Sequence, residues 1–145
     1  MAERIGRIGI QFGRWHDEVF GRRGLSRGEV GVLYALRGDD GSPPRLSPTQ
    51  LSRALMLSSA GITSRLDRLE RRHLVARHTD PDDRRGILVE LTEQGSKAAD
   101  EAVAAGAEAS ARMLSSLSRD ELKTLGRLLR KLQAGLEPAS GPGNG

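Results

Sequence analysis

The side chains best able to do chemistry lie in the middle of the chain. Thr49 and Gln50 head one polar segment, and Ser59, Thr63, Ser64, Arg65 and Arg68 recur through the next. Asp83, Arg84 and Arg85 crowd a charged stretch beside Pro81. Hydroxyls, amides and guanidinium groups in this mixture suit phosphate oxygens and the edges of bases, with arginine able to pair bidentately with guanine. They do not suit catalysis. No Ser-His-Asp set or carboxylate pair stands in a catalytic context, and Asp82 and Asp83 lie on a tip too exposed to raise a carboxyl pKa. His16, His73 and His78 form no metal-ligand pattern, His73 reading as a turn residue. No enzyme, cofactor or metal is expected.

Positioning these groups falls to helices with written starts. Ser26 with Glu29, Ser47 with Gln50 and Ser118 with Glu121 read as capping boxes, and Pro48 sits where a helix tolerates a missing N–H. Thr92 is a further N-cap, and Ser58 or Ser59 would cap the segment that carries Arg65. Apolar spacing then predicts helices over about 3–20, 26–37, 48–55, 59–72, 93–116 and 119–136. Arg45-Leu46 reads as a very short strand. Leu74 to His78 and Ile87 to Leu91 read as a hairpin with its tip at 80–86. A Gly/Asp/Pro loop between Gly38 and Pro44 stops the second helix. The tail at 137–145 is low in complexity and expected to be disordered.

The third and fourth helices are joined by a tight turn through Met56-Leu57. Leu51, Ala54 and Leu55 are expected to be buried from the first, and Ile62, Leu66 and Leu69 from the second. Gly61, Ser64, Arg65 and Arg68 then face the other way. Two helices so joined fit a helix-turn-helix, whose second helix enters the major groove, but they fit many helical bundles equally well. The hairpin that follows separates the two readings. A ribbon behind a helix-turn-helix is a wing, and its tip arginines can reach a phosphate or a narrow minor groove. Asp83, two residues before Arg85, is expected to hold that guanidinium in a fixed direction. Arg65 has no acidic residue three or four positions away, so it is assigned to a base, with a phosphate contact or surface ion pair as the alternative. Thr49 and Gln50 are candidates for phosphate.

These residues resemble the MarR family of bacterial transcriptional regulators over roughly residues 20–136. Asp80, Pro81, Asp83, Arg85, Gly86, Leu91, Thr92 and Gly95 match the family's wing signature, D-P-x-D-x-R-G followed by a strand and L-T-x-x-G. The resemblance implies a mainly α fold with a small β-hairpin, an α+β winged helix-turn-helix with long N- and C-terminal dimerisation helices. In domain terms, 24–92 would form the DNA-binding part, with 1–23 and 93–136 as dimerisation helices of a single chain. It also implies a homodimer on a pseudo-palindromic double-stranded operator, usually repressing and often released by a small phenolic or other anionic effector. A constitutive regulator without a ligand remains the other possibility. In that fold the effector pocket lies between the dimer helices and the winged helix, where Phe12, Trp15, His16 and Tyr34 would line it or be core, core being preferred. LSSAGITSRLDRLE and DPDDRRG are most similar to the branch that includes urate-responsive repressors. That branch carries an acidic residue where Gly31 stands here, so the resemblance does not extend to urate.

Composition agrees with this outline. The chain has 145 residues, 23 Lys+Arg against 19 Asp+Glu and a formal charge of +4, which allows an anionic partner without demanding one. It has no cysteine, which excludes disulfides and thiol chemistry. No apolar run spans a bilayer and the N-terminus lacks a signal-peptide pattern, so a soluble cytoplasmic protein with no membrane partner is expected. Ile5, Ile8, Phe12, Trp15 and Val19 form one apolar seam, and Leu122, Leu125, Leu129, Leu132 and Leu136 form another. One chain has too little else to cover both, so helices 1, 5 and 6 of two copies are expected to pack in a two-fold interface, the alternative being an intrachain bundle. A winged-helix module that binds protein instead of DNA is the competing function.

Overall fold

The computed structural model describes residues 1–39 and 42–136. The predicted tail and the middle of the Gly38–Pro44 loop lie outside them. Six helices and one hairpin follow in the order α1 (Ala2–Gly21), α2 (Arg27–Arg37), α3 (Pro48–Leu55), α4 (Ser59–Arg71), β1 (Val75–Thr79), β2 (Ile87–Leu91), α5 (Glu93–Met113) and α6 (Arg119–Leu136). The chain divides into two compact units, Met1–Ala109 and Ser110–Gly145.

Helices begin where side chains satisfy their first free N–H groups. Both reciprocal bonds form at Ser26/Glu29 and at Ser47/Gln50. Ser58, not Ser59, caps α4 by accepting from Gly61 N–H at 3.1 Å. Helix α4 ends in a Schellman turn, with His73 N–H donating to Glu70 O and Leu74 N–H to Leu69 O. His73 holds the left-handed position at φ 58°, normally a glycine's place, which bears out its reading as a turn residue. Met56, at φ 53°, makes the tight bend between α3 and α4.

The first unit closes around an aliphatic core. Leu33, Leu36, Leu51, Ile62, Leu66, Leu69 and Val89 are almost wholly buried, joined by Ala99 and Ala102 of α5. Ala54 is exposed, contrary to the expected inward set, because only Leu51 and Leu55 of short α3 face α2 and α4. The hairpin is antiparallel, with Val75 opposite Leu91 and Thr79 opposite Ile87. Leu46 adds a single bridge to Val89, which is the short strand expected at Arg45-Leu46.

In the second unit α5 ends at Met113, a turn earlier than its composition suggests, and turns through Leu114–Leu117 follow. Ser118 and Glu121 cap α6 reciprocally. No residue of α6 is buried. No helix among the described residues is long and apolar enough to cross a membrane.

Candidate nucleic-acid interface

The candidate surface is built on α3, α4 and the wing. Thr49 and Gln50 are exposed at the head of α3. Gln50 Oε1 accepts from Ser47 N–H at 2.8 Å, so the capping box takes its acceptor end and leaves the amide nitrogen to donate. Ser59, Thr63 and Ser64 are exposed on the first two turns of α4. Thr63 Oγ1 donates to Ser59 O at 2.9 Å, which spends its proton within the helix and keeps its lone pairs available.

The two α4 arginines singled out from the sequence, Arg65 and Arg68, differ sharply. Arg68 Nε donates to Glu29 Oε1 at 2.7 Å. Glu29 is 6% exposed and its other oxygen accepts from Ser26 N–H, so one carboxylate both closes the α2 capping box and ties α2 to α4. Arg68 therefore carries a structural load that its outward position in the sequence did not reveal. Arg65 is half-buried instead of projecting freely. Its Nη1 donates to Gly61 O at 3.1 Å and its Nε is buried with no hydrogen-bond partner.

At the wing tip, Arg84 and Arg85 are exposed. Asp83 does not orient the Arg85 guanidinium as expected. Its Oδ1 accepts from the Arg85 backbone N–H at 3.0 Å, and Asp80 does the same for Asp82 at 2.9 Å. The short aspartate side chains bond their own backbone two residues on and shape the turn, leaving the arginines to solvent. Asp80 N–H to Gly86 O, with Gly86 N–H to Asp83 O, closes the tip. A Cβ at Gly86 would come within 3.2 Å of Asp80 Cβ and of Asp83 O, which accounts for glycine there.

Two charged clusters, one on Arg77 and one on Glu90, also hold the wing and leave no local mark in the sequence. Arg77 of β1 reaches Asp67 at 2.7 Å and Glu70 at 3.4 Å, bracing the strand against α4. Glu90 of β2 accepts from Arg45 and from His78, each at 2.6 Å. The hydrogen bond from Arg45 is the main reason the Glu90 carboxyl sits below the ordinary range, partly opposed by desolvation and reinforced by His78. A carboxyl lowered on folding stabilises the native state above its unfolded value, and that contribution is lost as pH falls through the folded value. Urea unfolding should therefore show the wild type losing more stability than Glu90→Gln as pH drops from about 5 to about 3. Parallel pH curves for the two proteins would rule the contribution out.

The aromatic set near α1 is not core. Phe12, Trp15 and His16 are half-buried, and Tyr34 is 38% exposed. His16 Nδ1 bonds Phe12 O at 2.9 Å, and its ring stacks on Phe20 at 5.5 Å between centroids. The Tyr34 hydroxyl donates to Ala102 O at 3.0 Å, and burial around it raises its pKa against a lowering by Arg37. Phe12, Trp15 and His16 lie outside the core because α1 meets it only through its C-terminal end, at Val19 and Phe20.

Residues 23–86 match the sequence model of the MarR family. The chain is 33% identical to the HTH-type transcriptional regulator PecS of Dickeya dadantii over 89% of this chain and 77% of that protein. The fold is similar to that of a MarR mutant from E. coli solved with operator DNA, at a TM-score of 0.77 and 26% identity, covering 90% of this chain and 91% of that one. It is equally similar to BpsR of Bordetella bronchiseptica, whose DNA binding is described as regulated by 6-hydroxynicotinic acid. There the TM-score is 0.77 and the identity 26%, covering 92% of each chain.

Proposed function

This chain belongs to the MarR family of DNA-binding transcriptional regulators, and from that premise we propose that it acts as a homodimeric repressor of a pseudo-palindromic operator. The observation that carries the reading is the shared exposure of α4's polar N-terminal face and the Arg84-Arg85 wing tip on one rigidly braced unit. In this reading Arg65 contacts a base, Ser59, Thr63 and Ser64 line the groove, and Thr49 and Gln50 hold phosphate. Arg84 and Arg85 follow the backbone beyond the recognition helix, on a tip shaped by Asp83. Arg68 adds charge near the groove while remaining paired to Glu29.

Binding should be measured by titration against an inverted-repeat operator and a scrambled duplex at several salt concentrations. The expected result is preference for the operator and a steep linear fall of log affinity with log salt. Equal weak affinity for both duplexes would favour a protein-binding module instead.

Exposed apolar faces support the dimer. Ile5 and Ile8 of α1 are about half exposed, as are Leu128, Leu129 and Leu132 of α6, with Leu136 at 74%. Rows of large apolar side chains at helical spacing mark interaction surfaces more than scattered ones do. A second copy would cover them and set two recognition helices about 34–36 Å apart, to meet successive major grooves. The double substitution Leu129→Glu with Leu132→Glu should yield a monomer in sedimentation equilibrium and abolish operator binding while α4 keeps its helicity. A dimer that persists would move the interface elsewhere.

Effector control is the finer part of the proposal. The regulation of BpsR by 6-hydroxynicotinic acid supports a small aromatic anion as the ligand class. Phe12, Trp15, His16 and Tyr34 supply incompletely buried rings and polar tips where such a ligand would sit.

A further inference from the structure

Arg65 rests in a seat made by two glycines that lie 33 positions apart in the chain. A Cβ on Gly28 of α2 would fall 2.1 Å from Arg65 Nε, 2.7 Å from Nη2 and 2.8 Å from Cζ. A Cβ on Gly61 would fall 3.0 Å from Nη1. The seat fits the shape of a guanidinium and neglects its charge. Nε is buried without an acceptor, and among the described residues it is the buried side-chain polar atom left unsatisfied. The nearest candidate acceptor along α2, Glu29, is engaged by Ser26 and Arg68. The first turn of α2 adds the positive end of its helix dipole. A buried unpaired donor is unfavourable, so beyond the Nη1 bond to Gly61 O only fit holds Arg65 there.

Gly28 has no conformational reason to be glycine. It lies inside the first turn of α2 with no positive φ, where alanine is the better helix former. We propose that Gly28 is a positioning residue for DNA recognition: it stores the Arg65 guanidinium in a resting rotamer that must be left before the side chain reaches a base. Operator affinity is then reduced by the fraction of molecules with Arg65 seated. The far end of a flexible side chain is what a Cβ at Gly28 would displace, so Gly28→Ala evicts Arg65 without disturbing backbone.

This inference rests on the base contact of Arg65 proposed above, and its test separates the two. Operator and scrambled-duplex affinities are measured for the wild type, Gly28→Ala, Arg65→Ala and the double variant. Gly28→Ala should tighten operator binding by roughly three- to tenfold, and should have no effect once Arg65 is alanine. Unchanged or weaker operator binding in Gly28→Ala, or an equal change in both backgrounds, overturns the seat alone if Arg65→Ala still loses discrimination. Full discrimination in Arg65→Ala overturns the base contact and the inference with it. A second measurement needs neither DNA nor a variant: in NMR spectra of the free protein the Arg65 Nε–H should exchange roughly three- to tenfold more slowly than those of exposed Arg84 and Arg85. Exchange as fast as at Arg84 and Arg85 means the seat is empty and the proposal fails.

Discussion

Gly95→Ala should lower the unfolding midpoint by about 10 °C, corresponding to a loss of roughly 3 kcal/mol. Gly95 lies in the first turn of α5, where a Cβ would fall 1.8 Å from Leu74 O and 2.8 Å from its carbonyl carbon. The obstacle is backbone, so no rotamer change relieves it. Leu74 is fixed from the other side, its N–H donating to Leu69 O at the end of α4 while its O accepts from Thr92 N–H at 3.1 Å. Thr92 completes the junction: its Oγ1 donates to His73 O at 2.6 Å and accepts from Gly95 N–H at 3.0 Å. Recognition helix, wing and α5 thus meet at one point, and moving α5 away to admit a methyl group breaks the contacts that aim the wing. Thermal unfolding followed by circular dichroism measures the loss, with Gly6→Ala as the control, since nothing lies within 4 Å of a Cβ there. A midpoint within about 2 °C of wild type would mean that the junction yields easily.

Arg65→Ala should cost roughly 1–3 kcal/mol of operator binding, about five- to 150-fold in affinity, and relax the preference for one base pair. Its neighbours cannot replace it. Arg68 is committed to Glu29, and Ser64 is too short to span the same distance. Arg85→Ala should behave differently, weakening binding to all duplexes evenly and flattening the salt dependence by about one unit of slope, as loss of a phosphate contact does. Competition binding across a panel of operators with single base-pair changes distinguishes the outcomes. If Arg65→Ala weakens every member of the panel equally, the base contact belongs to another residue.

What could be read directly from the chain was whatever depends on neighbours within a few positions. Ser26 with Glu29, Ser47 with Gln50, Ser118 with Glu121 and Thr92 with Gly95 are bonds across three residues, so the helix starts were legible. The inward rows Ile62, Leu66 and Leu69 follow from helical period, and the hairpin follows from turn chemistry and alternation. The wing signature was legible as a pattern, but its mechanics were not. A carboxylate two residues from an arginine looks like a partner for the guanidinium, whereas the nearby backbone N–H is the cheaper bond for so short a side chain.

Everything decided by elements far apart in the chain needed the folded structure. Helix period alone made Arg65 and Arg68 look equivalent; packing α2 beside α4 paired one with Glu29 and seated the other on Gly28. The same holds for Arg77 with Asp67, for Glu90 between Arg45 and His78, and for the aromatic set that proved peripheral to the core. Local sequence encodes propensity, capping and the face a helix turns inward, because those energies arise within one or two turns. Which charge meets which, and which glycine is needed to admit a guanidinium or a carbonyl, is decided by the approach of surfaces that only tertiary packing brings together.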